Sequence, residues 1–353
     1  MAHAQELVSE RTRLKFRQLF IALPAIVYSV CASEPRFAHA DAPTLSLPIR
    51  CQPGKDCWLV NLVDRDPGRG VRDFRCGAAS YDGHTGTDIA IGTTARMAQG
   101  VEVLAAAPGR VLSTRDDMAD VSFRSIGGRQ AVKGRECGNG VVIDHGGGWT
   151  TQYCHLRLDS IAVAKGQRVD RGRRLGFVGH SGLAEFPHIH LTVRRGKEVV
   201  DPFVGRGEAP ACGPGPRPLW RADAAAALSY PPLAVNGLGF AARPPKADAV
   251  RRGYYRDTVL SKSAKALVLW ADTFRTRSGD LVVMRIVGPD GQAVLDLKKT
   301  LDKGHARRLL FAGRKRKPLF WPSGDYRGTV EIIRSDGPGG GKRVSMSTRV
   351  TLR

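Results

Sequence analysis

No apolar run in this 353-residue chain reaches the ~20 residues that a membrane-spanning helix needs, so the mature sequence offers no transmembrane segment. There is no Cys-x-x-Cys pair, which weakens a structural-zinc or redox-dithiol reading. There is no His-Glu-x-x-His, so a glutamate base held on a zinc-binding helix is missing. Gly179-His180-Ser181-Gly182 stops short of the Gly-x-Ser-x-Gly nucleophile elbow, because Leu183 stands where the last glycine is required. Acidic residues are scarce, 33 Asp and Glu against 55 Lys and Arg, for a net charge of +22. Nor does any long helical periodicity run from 81 to 204.

What is present is a chain able to fold. Hydrophobic residues make up 42% and charged residues 25%, outside the range of disordered composition. The length allows about two domains. The first forty residues read as an export signal: Arg11, Arg13, Lys15 and Arg17 precede an apolar stretch from Leu19 to Cys31, and Ala38-His39-Ala40 supplies small residues at a cleavage site. Val30 is too large for a lipoprotein box, so the expected location is exported, periplasmic or secreted. Six cysteines remain after cleavage: Cys51, Cys57, Cys76, Cys137, Cys154 and Cys212. An even number in an exported chain implies disulfides, with fifteen pairings open.

The fold class expected is mainly β. Residues 41–80 form a loop-rich segment with three cysteines, and Asp64-Arg65-Asp66-Pro67-Gly68 lacks the glycine and closing glutamate of a calcium loop and reads as a turn. Residues 81–204 hold short strands divided by Gly and Pro, including a hairpin around His145-Gly146-Gly147-Gly148, which point to an antiparallel sheet. Residues 115–136 read as a long surface loop. Residues 205–249, rich in Pro, Gly and Ala, read as a linker on which Trp220 docks against a neighbouring surface. Residues 250–353 read as a small, basic β-sandwich-like domain. From 215 onward 27 Lys and Arg face 11 Asp and Glu, so most of the positive charge lies there and anionic partners are expected. The run Lys303-Gly304-His305-Ala306-Arg307-Arg308 reads as solvated. Gly337-Pro338-Gly339-Gly340-Gly341 reads as a hairpin loop, because Arg343 and Asp336 break a phosphate-loop pattern.

The chemistry-bearing constellation is His84-x-x-x-Asp88, His155 and His188-x-His190. Along a strand, alternate side chains share a face, so His188 and His190 point together. His84 and Asp88 have the same parity. Zinc favours imidazole nitrogen and carboxylate oxygen, and a catalytic zinc takes three protein ligands and leaves one position open. Two histidines and one aspartate meet that rule, and the remaining histidines are available for proton transfer and oxyanion stabilisation.

These residues resemble the lysostaphin-type (LytM) zinc endopeptidases of bacterial cell walls. The resemblance covers about residues 80–204 and rests on Gly83-His84-Thr85-Gly86-Thr87-Asp88-Ile89-Ala90, Gly138 to His145, Tyr153-Cys154-His155-Leu156, Gly182 to Leu191 and Asp201-Pro202. It implies that His84, Asp88 and His190 bind zinc and that His155 and His188 are the two non-ligand catalytic histidines. Which of the two acts as base is left open. It also implies a peptidoglycan peptide as substrate. One position departs from the pattern: Cys154 stands where a small unreactive residue is usual. A free thiol there would compete for zinc. A bond to Cys137, brought near by the hairpin, would remove it. Two other readings stand beside this one. A non-catalytic wall-binding or regulatory module is disfavoured by retention of all five positions. Nucleic-acid binding by the basic C-terminal region lacks any matching motif. That region is expected instead to meet anionic envelope polymer.

Overall fold

The computed structural model describes residues 41–207, 211–230, 233–335 and 341–353. The export-signal reading of residues 1–40 and most of the glycine run at 337–341 fall outside them. The chain is mainly β, with strands β1 (Trp58–Asn61), β2 (Thr87–Ala90), β3 (Glu102–Leu104), β4 (Gly109–Arg115), β5 (Asn139–Gly146), β6 (Trp149–Leu156), β7 (Arg168–Val169), β8 (Arg174–Phe177), β9 (His188–Arg195) and β10 (Glu198–Val199) in its first part. Eight of these form one sheet in the order β1-β2-β9-β6-β5-β4-β7, with β10 on β9, while β3 pairs with β8. Every pairing in the large sheet is antiparallel. Among the described residues no helix is long and apolar enough to cross a membrane.

Period-two alternation divides the large sheet into two faces. Ile189, Leu191 and Val193 of β9, Ile89 of β2, and Trp149 and Tyr153 of β6 enter one hydrophobic core. The residues between them, Asp88, His188, His190 and Thr192, lie on the opposite face. The segment before residue 81 joins the same core through Leu45, Ile49, Leu62 and Phe74. Three disulfides tie the frame: Cys51–Cys57, Cys76–Cys212 and Cys137–Cys154. The last is the pairing expected beside the site.

Two stretches depart from the expectation. Residues 115–136, read as a surface loop, contain two 3-10 turns at Phe123–Ile126 and Gly128–Val132. Phe123 and Val132 are buried there, because a short apolar residue every few positions is enough to pin a turn that lacks strand or helix periodicity. Residues 205–249, read as a linker, are largely packed. Leu219, Trp220, Ala224 and Leu228 belong to the first core. Leu45 N–H donates to the Leu219 carbonyl at 2.6 Å and Arg221 N–H to the Leu45 carbonyl at 2.8 Å. Short helices α1 (Thr94–Gln99), α2 (Ala222–Ala227) and α3 (Ala247–Arg251) complete the irregular regions. Proline-rich composition here reflects turns between packed pieces; the apolar side chains between the prolines, Trp220 foremost, decide the outcome by burying their surface.

The C-terminal strands are β11 (Ala234–Ala241), β12 (Val259–Leu260), β13 (Ala266–Thr276), β14 (Leu281–Val287), β15 (Ala293–Thr300), β16 (His305–Lys315), β17 (Gly324–Arg334) and β18 (Lys342–Leu352). They form a three-stranded sheet, β11-β13-β16, and a five-stranded sheet, β12-β18-β17-β14-β15. Both sheets contribute to a second core that includes Phe240, Leu269, Met284, Ile286, Tyr326 and Val330. Thus β11 begins inside the stretch expected as linker. A third, small cluster joins Val60, Ala90 and Phe186 of the first part to Ala234 and Phe274 of the second. The second part is therefore packed on the first, on the face that carries Asp88 and His188. The basic run at 303–308 is not wholly solvated, because Arg307 is buried against Asp272, Phe186 and Phe274 while His305, at the start of the strand, stays exposed.

Trp220, 4% exposed, anchors the stretch read as a linker to the first core and lies tilted against Phe203, ring centroids 5.7 Å apart. Trp220→Ala is expected to cost about 3–5 kcal/mol, the usual range for removing a buried large aromatic. Urea unfolding of the two proteins checks this; a loss under about 1 kcal/mol would mean that the segment only rests on the surface.

Candidate functional site

The site is assembled by strand register. In the β2–β9 ladder Asp88 lies opposite His190 and Ala90 opposite His188. In the β6–β9 ladder Cys154 lies opposite His190, which brings His155 beside both histidines of β9. His84 enters from the turn before β2. That turn is fixed by Asp64, whose Oδ2 accepts the Gly83 N–H at 3.0 Å and whose own N–H donates to the His84 carbonyl at 2.8 Å. Gly86 has to be glycine on steric grounds, since a Cβ there would lie 2.5 Å from His190 Nε2.

Three potential ligand atoms converge. His84 Nε2 is 3.1 Å from His190 Nδ1 and 3.2 Å from Asp88 Oδ1, and His190 Nδ1 is 2.8 Å from the same oxygen. The far side of each group is already committed. His84 Nδ1 donates to the Leu62 carbonyl at 2.6 Å, His190 Nε2 to Thr192 Oγ1 at 2.9 Å, and Asp88 Oδ2 accepts the Asn61 amide at 2.8 Å. With those tautomers, two nitrogen lone pairs and one carboxylate oxygen face a common point. Such a triangle suits a positive charge at its centre. A tetrahedral zinc with bonds of 2.0–2.1 Å would set ligand atoms about 3.3 Å apart, close to the spacing present. The donor set and its partners therefore fit a divalent zinc-like ion. A second group, Cys51, Asp56 and Cys57, offers nothing comparable, because its cysteines are joined in a disulfide.

The electrostatics agree with that demand. Burial alone would raise the Asp88 carboxyl, but the imidazoles of His84 and His188 and hydrogen bonds from His190 and His84 hold it well below the usual carboxylate range. Burial pushes the His84 ring down, yet Asp88 beside it and the Leu62 carbonyl outweigh burial and leave it above the ordinary histidine range. Burial lowers His190 despite its bond to Asp88.

His155 and His188 stand side by side, ring centroids 4.6 Å apart. Each has one nitrogen tied to backbone: His155 Nδ1 donates to the Ser181 carbonyl and His188 Nδ1 to the Phe186 carbonyl, both at 2.8 Å. Their Nε2 atoms are thereby left as the reactive ends. His155 sits at φ 64°, a left-handed conformation that costs energy for a non-glycine residue. Burial, with His188 and His190 nearby, holds His155 well below the usual histidine range, so it is neutral at pH 7. Cys154, one residue before, is bonded to Cys137 and presents no thiol to the site.

The site opens on a groove of about 470 Å³ lined by Tyr81, Arg129, Gln152, His155, Leu183 and His190 among others. A smaller cavity of about 220 Å³ on the other side reaches Asp88 and His188, and Ala306 of β16 forms part of its wall. Tyr81, Arg129 and Leu183 border both. All five residues singled out from the sequence are brought together. The orienting residues Asn61, Leu62, Thr192, Ser181 and Phe186 escaped it, since three of them act through backbone carbonyls that no motif records. Only Thr192, two residues after His190 on the same face, carried a readable signal.

A pocket of two imidazoles and one carboxylate on an antiparallel sheet, with two further oriented imidazoles, is suited to a divalent metal ion, and residues 82–202 match the sequence profile of Peptidase family M23. The match agrees with the LytM-type resemblance over the same stretch. The chain is 35% identical over 117 residues to Peptidoglycan DD-endopeptidase ShyA of Vibrio cholerae serotype O1, covering 33% of this chain and 21% of that protein. It is 41% identical over 64 residues to Peptidoglycan DD-endopeptidase ShyB of the same organism, covering 18% of this chain and 15% of that protein. The match thus spans about a fifth of the length of these relatives or less. Among solved structures, a zinc-containing peptidase from Vibrio cholerae is 25% identical, covering 44% of this chain and 41% of that one, with a TM-score of 0.27.

Thr192 is the one side-chain hydroxyl that fixes the His190 tautomer. Thr192→Val, which keeps shape and removes the acceptor, is expected to weaken zinc affinity about 10–100-fold. Competition against a chromogenic chelator measures it; unchanged affinity would mean that Thr192 does not set the tautomer.

Proposed function

We propose that this protein is an exported zinc metalloendopeptidase that hydrolyses peptide cross-links of bacterial peptidoglycan. The observation that carries the reading is the convergence of His84, Asp88 and His190 on one point, with His155 and His188 oriented beside it. His84, Asp88 and His190 would hold the ion. When bound, such an ion acidifies a water and polarises a carbonyl. The remaining chemistry belongs to the two other histidines. His155, neutral and aimed through Nε2, is a proton acceptor at neutral pH; His188, equally fixed by its Nδ1 bond, presents an Nε2 lone pair that can take a proton and, once protonated, donate it to a developing oxyanion. The open groove beside the site has room for a peptide, and the names of the relatives support a peptidoglycan substrate. Retention of every site position favours this over a non-catalytic wall-binding role.

Digestion of purified peptidoglycan by the full-length protein, with mass analysis of the fragments, is expected to release cross-link cleavage products. His190→Ala should lose both zinc and activity. His155→Ala and His188→Ala should keep zinc and lose turnover by roughly a hundredfold or more. Stoichiometric zinc in the His190 variant would remove the ligand assignment. Zinc in the wild type without cleavage of any wall would favour the non-catalytic reading.

The basic C-terminal part supplies attachment to anionic envelope polymer. Arg314, Lys315 and Lys317 are exposed beside Leu319 and Phe320, and Lys262 Nζ lies 5.6 Å from the Phe320 ring. Exposed charges are screened beyond ~8–10 Å at physiological salt. Sedimentation with intact walls should therefore fall steeply as salt rises, and Lys315→Glu/Lys317→Glu should pellet less at low salt. Equal pelleting of variant and wild type at every salt concentration would reject the role.

A further inference from the structure

Arg307 is a buried cation in a run that reads as solvated. Its side chain is 2% exposed, as is that of its partner Asp272 on β13. Nε donates to the two Asp272 oxygens at 3.2 and 3.0 Å. Nη2 also crosses to the first part of the chain and donates to the Gly92 carbonyl at 2.7 Å. The guanidinium carbon lies 5.1 Å from the ring centroids of both Phe186 and Phe274. Asp272 is held in turn by the Asn236 amide at 2.9 Å. Gly92 permits this approach: it has φ 86°, and a Cβ there would meet Asn236 Oδ1 at 2.8 Å.

The two points that Arg307 grips have a particular place in the catalytic sheet. Gly92 lies just beyond the end of β2 and Phe186 just before the start of β9. The rung between those ends pairs Ala90 with His188. Phe186 is also the residue whose carbonyl accepts the His188 Nδ1 proton, and its ring lies 5.1 Å from the imidazole. Moving Phe186 would therefore rotate His188 or release its tautomer. In its apolar cluster Phe186 joins Val60 and Ala90 of the first part to Ala234 and Phe274 of the C-terminal part, so both parts hold it.

We infer that Arg307 is a positioning residue for His188: the C-terminal sheet, through Arg307 stacked on Phe186 and bonded to Gly92, holds the imidazole in the tautomer and direction that the reaction uses. The inference rests on the proposed role of His188. It makes the C-terminal part a component of the peptidase apparatus as well as an attachment surface. Arg is required for the task because a flat guanidinium stacks on rings and donates in several directions at once, which an ammonium does not do.

The test uses full-length protein carrying Arg307→Lys, which keeps the charge beside Asp272, and the charge-neutral pair Arg307→Met/Asp272→Asn. Two readouts are taken on each. The first is long-range proton–nitrogen NMR of histidine-labelled, metal-free protein, with His188 assigned by difference against His188→Ala. The wild type should show the Nδ1–H tautomer alone, and both variants a mixture. The second is kinetics on a soluble cross-link peptide, with zinc content and circular dichroism alongside. Turnover should fall about tenfold or more with KM within twofold and zinc at the wild-type level, since a displacement of a catalytic group by about an ångström costs rate more than binding. An unchanged His188 tautomer in folded variants overturns the inference. So does a loss of activity that only tracks the unfolded fraction. A wild type that shows the single tautomer but cleaves nothing would refute the proposed function and leave the positioning intact.

Discussion

The pairing of β2 with β9 is the constraint on which the site depends. It sets Asp88 across from His190 and Ala90 across from His188. Because side chains alternate, a slip of one residue would send both histidines of β9 into the core and turn Ile189 and Leu191 toward the groove. The depth of burial of Ile89, Ile189 and Leu191, all at 0% exposure, makes that slip costly. Packing on one face thus enforces chemistry on the other. The Cys137–Cys154 bond acts in the same direction, since it fixes the strand that carries His155 and removes a thiol from the neighbourhood of the ligands.

The polar side of the site is organised by commitments made away from its centre. Each imidazole spends one nitrogen on an oxygen behind it: Leu62, Ser181 and Phe186 through their carbonyls and Thr192 through its hydroxyl. The nitrogens that remain have defined character before any substrate arrives. Buried polar groups are costly unless satisfied, so this outer layer stabilises the fold and prepares the chemistry by the same contacts. Ser181 illustrates the point. As a nucleophile it fails on motif, and in the fold its hydroxyl donates to the Leu156 carbonyl and accepts the Asn139 N–H while its carbonyl aims His155.

The C-terminal sheets are joined to the first part by more than contact area. Two buried ion pairs, Arg307 with Asp272 and Arg334 with Asp280, sit within them. Arg334 also supports the Arg275 carbonyl, and Arg275 donates to the Ala78 carbonyl of the first part. A buried ion pair is weak evidence for stability, because desolvation opposes its attraction. Its directional hydrogen bonds instead select one docking geometry over others. The small apolar cluster of Val60, Ala90, Phe186, Ala234 and Phe274 supplies the surface that this geometry buries.

Much of the large sheet was legible in the residues. Alternation, glycine punctuation and the spacing His-x-x-x-Asp and His-x-His are local properties, and they put His84 with Asp88 and His188 with His190 because strand parity acts over two to four residues; that these pairs and His155 make one site was implied by the LytM-type resemblance. The six-cysteine count implied an oxidised frame, and hairpin proximity was enough for Cys137 with Cys154. The pairings of Cys51 with Cys57 and of Cys76 with Cys212 were beyond it, the second because 136 residues separate its ends. Composition misled at 205–249, where prolines between packed segments look like a linker. It misled again at Arg307, where only the presence of Asp272, Phe186 and Phe274 on other strands turns a cation inward. Local pattern determined which side chains share a face. Which faces meet, and which backbone carbonyl stands behind which imidazole, depended on contacts between residues far apart in sequence, whose free energy exists only once the sheets have packed.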